Sequence, residues 1–208
     1  YITIIQILIN YLLIMFNPKI DDWFKFKGWA PHNYQIELNN KLSNLNSALV
    51  IAPTGGGKTL AGFIPAIADI IKEVPKGLHT LYISPLKALA NDIERNLEFP
   101  IKEMELDITL ETRTGDTKQS KRNSQKHNPP NFLMTTPESF ILMLSWETSK
   151  KFFGNLKFLI IDEIHTLFND KRGDLLSLGI SEIRNINSHF KKIGLSATVS
   201  DPKTILLW

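Results

Sequence analysis

Cysteine is missing from this sequence of 208 residues. Its absence excludes disulfides, thiol nucleophiles, and zinc or iron–sulfur centres held by cysteine. It is compatible with a reducing compartment, and a cytoplasmic location is expected. A long apolar run is also lacking. The best candidate, residues 1–16, falls short of the ~18–20 residues of a membrane span. Its polar members Thr3, Gln6 and Asn10 recur at helical spacing on one face. No basic residues precede it and no small-residue cleavage site follows it. It reads as an amphipathic helix packing on the domain or on a missing part, in preference to a truncated anchor or signal. A marked excess of either charge is lacking too, with 24 basic residues against 21 acidic ones. The net charge is +3 and the pI about 9.0, which tolerates a polyanionic partner without demanding one. No internal repeat or low-complexity stretch is evident. What remains is an ordinary apolar share of 43%, enough for one buried core, or one with an appendage. The chain starts at Tyr1 and stops inside Ile205-Leu206-Leu207-Trp208, so it reads as a fragment.

The stretch that organises the rest is Ala52-Pro53-Thr54-Gly55-Gly56-Gly57-Lys58-Thr59. The apolar run Ser47-Ala48-Leu49-Val50-Ile51 leads into it as a strand, and residues 60–73 lead out as a helix. Strand, glycine-rich loop, Lys-Thr, helix is the phosphate-binding P-loop arrangement. Glycines allow backbone N–H groups to turn inward, and the helix aims its positive end at the phosphates. Thr54, Gly55, Gly56 and Gly57 would line the cradle. Lys58 can reach the β- and γ-phosphates, and the Thr59 hydroxyl can ligate Mg²⁺. The first glycine of the general pattern is replaced by Ala52.

Along the chain, strands alternate with helices. Aromatics Trp23, Phe24, Phe26, Trp29 and Tyr34 precede the P-loop; they could form a wall for an adenine ring or simply fill the core. A short helix is expected over 36–45. Further strands are expected over 79–84, 107–113, 132–136, 156–161 and 192–195, with helices over 86–99, 138–146 and 174–186. Lys118, Lys121, Arg122 and Lys126 are read as a solvated helix face, with phosphate contact the sharper alternative. The pattern implies an α/β fold: a mostly parallel sheet with helices on both faces. Every polar motif falls at a strand end, where ligands sit in such sheets.

Asp162-Glu163 ends the buried strand Leu156-Lys157-Phe158-Leu159-Ile160-Ile161. An aspartate there can hold Mg²⁺ opposite Thr59, and Glu163 can orient and deprotonate an attacking water. His165 follows two residues on. Ser196-Ala197-Thr198 ends the next strand, where small hydroxyl residues could hydrogen-bond His165 and relay the nucleotide state. Phosphoryl transfer needs charge neutralisation and an in-line water, and these residues supply both.

Ala52-Pro53-Thr54-Gly55-Gly56-Gly57-Lys58-Thr59, Asp162-Glu163-Ile164-His165 and Ser196-Ala197-Thr198 resemble motifs I, II and III of superfamily 2 helicases of the DEAD/DEAH type. Alanine at position 52 is usual there. Ser84-Pro85-Leu86-Lys87-Ala88-Leu89, Glu111-Thr112-Arg113-Thr114-Gly115-Asp116-Thr117, Thr135-Thr136-Pro137-Glu138 and Lys171-Arg172-Gly173 resemble the large helicase-related (Lhr) proteins, most of all their ligase-associated DEXH-box branch. The resemblance covers residues 20–208 and implies a RecA-like ATP-binding domain; residues 1–19 form a separate apolar segment. It implies an ATP- and Mg²⁺-dependent translocase moving 3′ to 5′ on single-stranded DNA, with a role in DNA repair. It makes Lys58, Asp162, Glu163 and His165 catalytic. It assigns Gln35 to the adenine, although Tyr34 stands where a histidine commonly precedes that glutamine. It lines a nucleic-acid track with Lys87, Arg113, Thr114, Gly115, Thr136 and Arg172, and gives Ser196 and Thr198 a coupling role. The second RecA-like domain and its arginine finger are not in this chain. Such a finger contributes ~10³–10⁵ in turnover, so the fragment is expected to hydrolyse ATP poorly and not to unwind. An RNA helicase domain and a truncated nucleotide-binding module are the alternatives.

Overall fold

The computed structural model describes residues 16–73, 75–168, 170–198 and 202–207. The amphipathic helix expected over residues 1–16 lies outside the described residues, save for Phe16. Six strands form one sheet: β1 (Ser47–Ile51), β2 (Thr80–Ile83), β3 (Leu110–Arg113), β4 (Phe132–Thr135), β5 (Phe158–Ile161) and β6 (Lys191–Ser196). Their spatial order is β1-β6-β5-β2-β4-β3, and every pairing is parallel. The expected parallel α/β sheet is therefore what the chain builds.

Helices cover both faces because each strand alternates its side chains between two cores. Tyr82, Met134, Ile160 and Leu195 point to one face. There they meet α1 (Pro18–Phe26), α2 (Asn33–Leu42), α3 (Lys58–Lys72) and α4 (Lys87–Glu103). Leu81, Ile83, Leu133, Leu159 and Ile161 point to the other. That face is packed by α6 (Pro137–Leu144), α7 (Ser149–Phe153), the single turn α8 (Ile164–Leu167), α9 (Lys171–Ile186) and Ile205 of α10 (Pro202–Leu207). Helix α5 (Gln119–His127) buries only Gln125; Lys118 and Lys121 are exposed, as expected of a solvated basic face, whereas Arg122 and Lys126 are half-buried. Burying an aliphatic or aromatic side chain is worth ~1.5–3 kcal/mol, so the two cores rather than the short helices dominate stability.

Several boundaries move: α4 runs on to Glu103, α6 ends at Leu144, and three others shift for identifiable reasons. Helix α2 begins at Asn33, because the His32 N–H donates to Gln35 Oε1 at 2.9 Å and caps the first turn. Helix α9 begins at Lys171, not Asp174, so Arg172 lies in its first turn. Strand β3 is limited to Leu110–Arg113, since it pairs only with β4 and only over four residues. The short helices α7 and α8 are too brief to leave a period in the sequence. Among the described residues no helix is long and apolar enough to cross a membrane.

Candidate functional site

Every motif gathers at the carboxyl edge of the sheet, in two neighbouring groups. The first lies over β1, β6 and β5. The P-loop leaves β1 after Ala52, whose N–H continues the ladder by donating to the Ser196 carbonyl at 3.1 Å. Gly55 and Gly57 take left-handed φ values of 78° and 79°. At Gly57 the need for glycine is double, because a Cβ would also stand 2.9 Å from Gln35 Nε2. Lys58 opens α3 and is buried, with Nζ donating to the Ala52 carbonyl at 2.8 Å. The lysine thus lies across its own loop. Thr59 is half-buried in the first turn, and Thr54 is exposed at the tip.

Gln35 is tied to this loop. Its Nε2 donates to the Gly57 carbonyl at 3.1 Å, while Oε1 accepts from His32. Tyr34 adds a tether that the sequence did not suggest: its hydroxyl donates to the Gly56 carbonyl. His32 and Tyr34 stack with ring centres 5.4 Å apart and planes 7° from parallel. Of the other aromatics, Trp23 and Phe24 are core, whereas Phe26 and Trp29 are exposed.

Asp162 and Glu163 stand one strand beyond β6. The Asp162 N–H donates to the Ile83 carbonyl at 2.8 Å, so the residue still belongs to the ladder and faces the α3 side. The Asp162 carboxylate is buried at 6% exposure. Its Oδ1 accepts from the Glu163 N–H at 3.0 Å and its Oδ2 from the Tyr82 hydroxyl. Burial pushes its pKa up, aided by the Glu163 charge and opposed by the Tyr82 hydrogen bond and the Lys58 charge. Burial and the two neighbouring carboxylates hold the Tyr82 phenol well above its ordinary range, so it stays protonated as a donor. Glu163 adopts φ 45°, a left-handed conformation that costs a residue with a side chain ~1–3 kcal/mol. Strain at this point turns the chain sharply from β5 into α8. His165 Nδ1 lies 2.8 Å from Ser196 Oγ and 3.4 Å from Glu163 Oε2. Ser196 Oγ has one proton and gives it to the Thr198 carbonyl at 2.8 Å, so Nδ1 of His165 is the donor to Ser196. It is the backbone of Thr198, not its hydroxyl, that enters this chain of contacts.

The donor set suits a hard divalent cation. Among the described residues no cluster of three or more His, Cys, Asp or Glu could cage a metal ion. A hydroxyl at Thr59 and a buried, desolvated carboxylate at Asp162 fit instead the mode in which Mg²⁺ takes one or two protein oxygens together with phosphates and water.

The second group lies over β2, β4 and β3. Lys87, at the start of α4, pairs with Asp116 at 2.9 Å; both are exposed. Gly115 sits against Lys87, where a Cβ would stand 3.3 Å from Nζ. Thr114 and Thr117 close the intervening turn: the Thr114 N–H donates to Thr117 Oγ1 at 2.9 Å and the Asp116 N–H to Thr114 Oγ1 at 3.3 Å. Thr136 caps α6, accepting from the Ser139 N–H. Arg172 bridges two motifs, donating to Glu138 Oε1 at 2.6 Å and to the Pro85 carbonyl at 2.7 Å. Burial pushes the Glu138 carboxyl up, but the Arg172 hydrogen bond and charge, with bonds from its own N–H and Thr136, hold it below its ordinary value.

Arg113 lies elsewhere than its neighbours. Its guanidinium is buried, stacks on Trp146 at 4.5 Å and donates to the Arg122 carbonyl at 3.0 Å. Burial, and then the Arg122 charge, lower its pKa to about 10, which leaves it cationic at neutral pH. Arg122 in turn donates to the Thr114 carbonyl at 3.2 Å and to the Gly115 carbonyl. The two arginines brace the 114–117 turn from behind. Arg122 was legible only as one cation in a basic helix; its bracing role has no signature in the sequence.

A model of the DEAD/DEAH box helicase family matches residues 32–205. The Lhr helicase/probable uracil glycosylase of Mycolicibacterium smegmatis is 38% identical over 204 residues, spanning 91% of this chain and 14% of that protein. The ATP-dependent helicase Lhr-Core of Methanocaldococcus jannaschii is 39% identical over 198 residues, 86% of this chain and 23% of its own length. The solved structure of Mycobacterium smegmatis helicase Lhr bound to ssDNA and AMP-PNP superimposes with a TM-score of 0.83 at 38% identity, over 91% of this chain and 26% of that one. The chain thus spans less than a quarter of the length of these two curated relatives. With the P-loop, the Asp162-Glu163 turn and the parallel sheet in their places, this chain belongs to the DEAD/DEAH box helicase family.

Proposed function

We propose that this chain is the ATP-binding half of an ATP-dependent DNA helicase or translocase that couples hydrolysis to movement on single-stranded DNA. The observation that carries the reading is the convergence of the glycine cradle, the Asp162-Glu163 turn and the His165–Ser196 pair on the ends of β1, β5 and β6. The amides of Gly55, Gly56 and Gly57 take the phosphates, and Lys58 exchanges the Ala52 carbonyl for their oxygens. One N–H and one lone pair of the Gln35 amide remain for the adenine edge. Thr59 and Asp162 would hold Mg²⁺, which when bound neutralises charge on the β- and γ-phosphates. Glu163 orients the attacking water and accepts its proton. His165 and Ser196 carry the change to the strand end at Thr198.

Lys87, the 114–117 turn, Thr136 and the α9 terminus with Arg172 form the track for the DNA backbone, and such contacts give affinity without sequence preference. The single-stranded DNA and AMP-PNP in the similar Lhr structure support DNA over RNA. The cytoplasmic setting and the repair role belong to the same proposal. A second RecA-like domain would supply the arginine finger, so this half alone turns over slowly.

The test is a titration of the chain with a fluorescent ATP analogue. Competition between single-stranded DNA and RNA for ATPase stimulation of the full-length protein completes it. Metal-dependent nucleotide binding and stimulation by DNA are expected. No nucleotide binding would remove the reading, and stronger stimulation by RNA than by DNA would replace DNA with RNA.

A further inference from the structure

Tyr82 is a buried polar side chain that the nucleotide reading leaves without a task. It sits in β2, fully buried, with its ring stacked on Phe63 at 5.3 Å and 24°. Its neighbours across the ladder, Met134 and Ile160, are apolar. A phenol in such surroundings is costly unless its hydroxyl finds a partner, and a phenylalanine ring would make the same stack on Phe63 without it. The hydroxyl donates to Asp162 Oδ2.

The register explains the reach. Tyr82 pairs with Ile160, so it shares that residue's face of the sheet, and Asp162 lies two residues further along the same face. Two residues of strand rise about 6.6 Å, an offset that the long tyrosine side chain covers by leaning along the strand. Phenylalanine in the same rotamer would leave Oδ2 unpaired in a buried carboxylate.

We propose that Tyr82 is a positioning residue for the divalent cation of the nucleotide site. With the Glu163 N–H on Oδ1 and the Tyr82 hydroxyl on Oδ2, both oxygens of Asp162 are held, so the carboxylate plane is set before the cation arrives. Partners that orient a metal-ligating carboxylate in this way typically govern metal affinity by 10–100-fold. The proposal rests on the nucleotide-site reading above and adds to it the determinant of metal affinity. Packing alone does not account for the residue, because packing uses the ring and leaves the hydroxyl idle.

The experiment compares wild type with Tyr82→Phe, which keeps the ring. Binding of a fluorescent ATP analogue is measured in EDTA and across a Mg²⁺ titration. Mn²⁺ affinity of the protein–nucleotide complex is read by electron paramagnetic resonance, and thermal midpoints are recorded for both proteins. Tyr82→Phe is expected to bind nucleotide unchanged in EDTA and to weaken Mn²⁺ about tenfold, the low end of that range. In an Asp162→Ala background it should have no further effect on Mn²⁺. Unchanged Mn²⁺ affinity in Tyr82→Phe overturns the proposal. So does an equal loss of nucleotide with and without metal, which would make Tyr82 a packing residue. If wild type itself fails to bind nucleotide, the site reading falls and this proposal with it. The wild-type control separates that outcome from failure of Tyr82 alone.

Discussion

Asp69 and Asp162 sit at opposite ends of the same parallel sheet, and their surroundings push them in opposite directions. At the amino end, Asp69 Oδ2 faces His79 Nε2 at 3.1 Å and accepts from Lys157 Nζ at 3.3 Å. The His79 hydrogen bond, acting against partial burial and helped by Lys157, lowers the Asp69 pKa to about 2. His79 uses its other nitrogen on Thr80 Oγ1 at 2.9 Å, and nearby Asn131 ties Thr109, Pro75 and Gly77 together. At the carboxyl end, burial raises the Asp162 pKa. Lys58 has turned back onto its own loop, and Glu163 is held at a positive φ. One end has its charges neutralised by the fold. The other carries a buried anion, a folded-back cation and a strained turn. The physical lesson is that the amino end is stabilised by what it contains, whereas the carboxyl end leaves unbalanced the groups assigned to the proposed nucleotide site.

The contrast can be broken at several points. The largest effect is expected for Lys58→Ala. It removes charge-assisted hydrogen bonds worth about 1.5–3 kcal/mol each and should weaken nucleotide binding by about 100-fold or more, read by fluorescent-analogue titration, with a lowered thermal midpoint from the lost bond to the Ala52 carbonyl. Glu163→Gln comes next. Binding should survive while hydrolysis by the full-length protein falls by about 10²–10⁴-fold, the usual range for a lost general base. Wild-type turnover in that variant would show that Glu163 does not activate the water.

The proposed nucleic-acid track offers its own comparison. Arg113→Ala should cost about 2 kcal/mol of stability through its lost stacking and hydrogen bonds, seen in urea unfolding, and should weaken DNA binding through the turn it braces. Lys87→Ala breaks only an exposed ion pair, which contributes little to stability. It should leave unfolding unchanged yet reduce the salt slope of DNA binding by about 1. The same salt slope in Lys87→Ala as in wild type would take that lysine off the track.

The smallest effect is expected at the amino end. Asp69→Asn should cost about 1 kcal/mol after allowance for the partial exposure of the group. The folded pKa of Asp69 lies below its unfolded value, so its contribution is complete above about pH 4 and fades as the pH falls towards 2. The stability difference between wild type and Asp69→Asn should therefore narrow on acidification over that window. A difference that stays constant with pH would mean that the His79 and Lys157 contacts do not carry it.

Much of this was open to a reader of the residues. A phosphate loop needs glycines and a lysine at fixed spacing, so residues 52–59 announced themselves. Strands buried on both faces read as continuous apolar runs, so β5 and its terminal Asp162-Glu163 were visible as well. Other roles depended on register. Nothing near Tyr82 in the chain indicates that it reaches Asp162, 80 residues away. Arg113, expected on the track with its neighbours, turns inward beneath Trp146 because the aromatic ring and the Arg122 carbonyl are brought to it by the turn after α6 and by α5. Gln35, assigned to the adenine, spends half of its amide on its own helix cap and on the Gly57 carbonyl.

By itself, then, the sequence determined the kind of fold, the order of its motifs and the chemistry each can offer, since local spacing and side-chain type suffice for those. Only the tertiary structure decided which groups are already spoken for: Lys58 by Ala52, Arg172 by Glu138 and Pro85, Asp162 by Tyr82. Apart from the Lys58 contact, which closes within its own loop, these partners are neighbours across the fold. They follow from which strand lies beside which and in what register, and a linear pattern of residues does not contain that information.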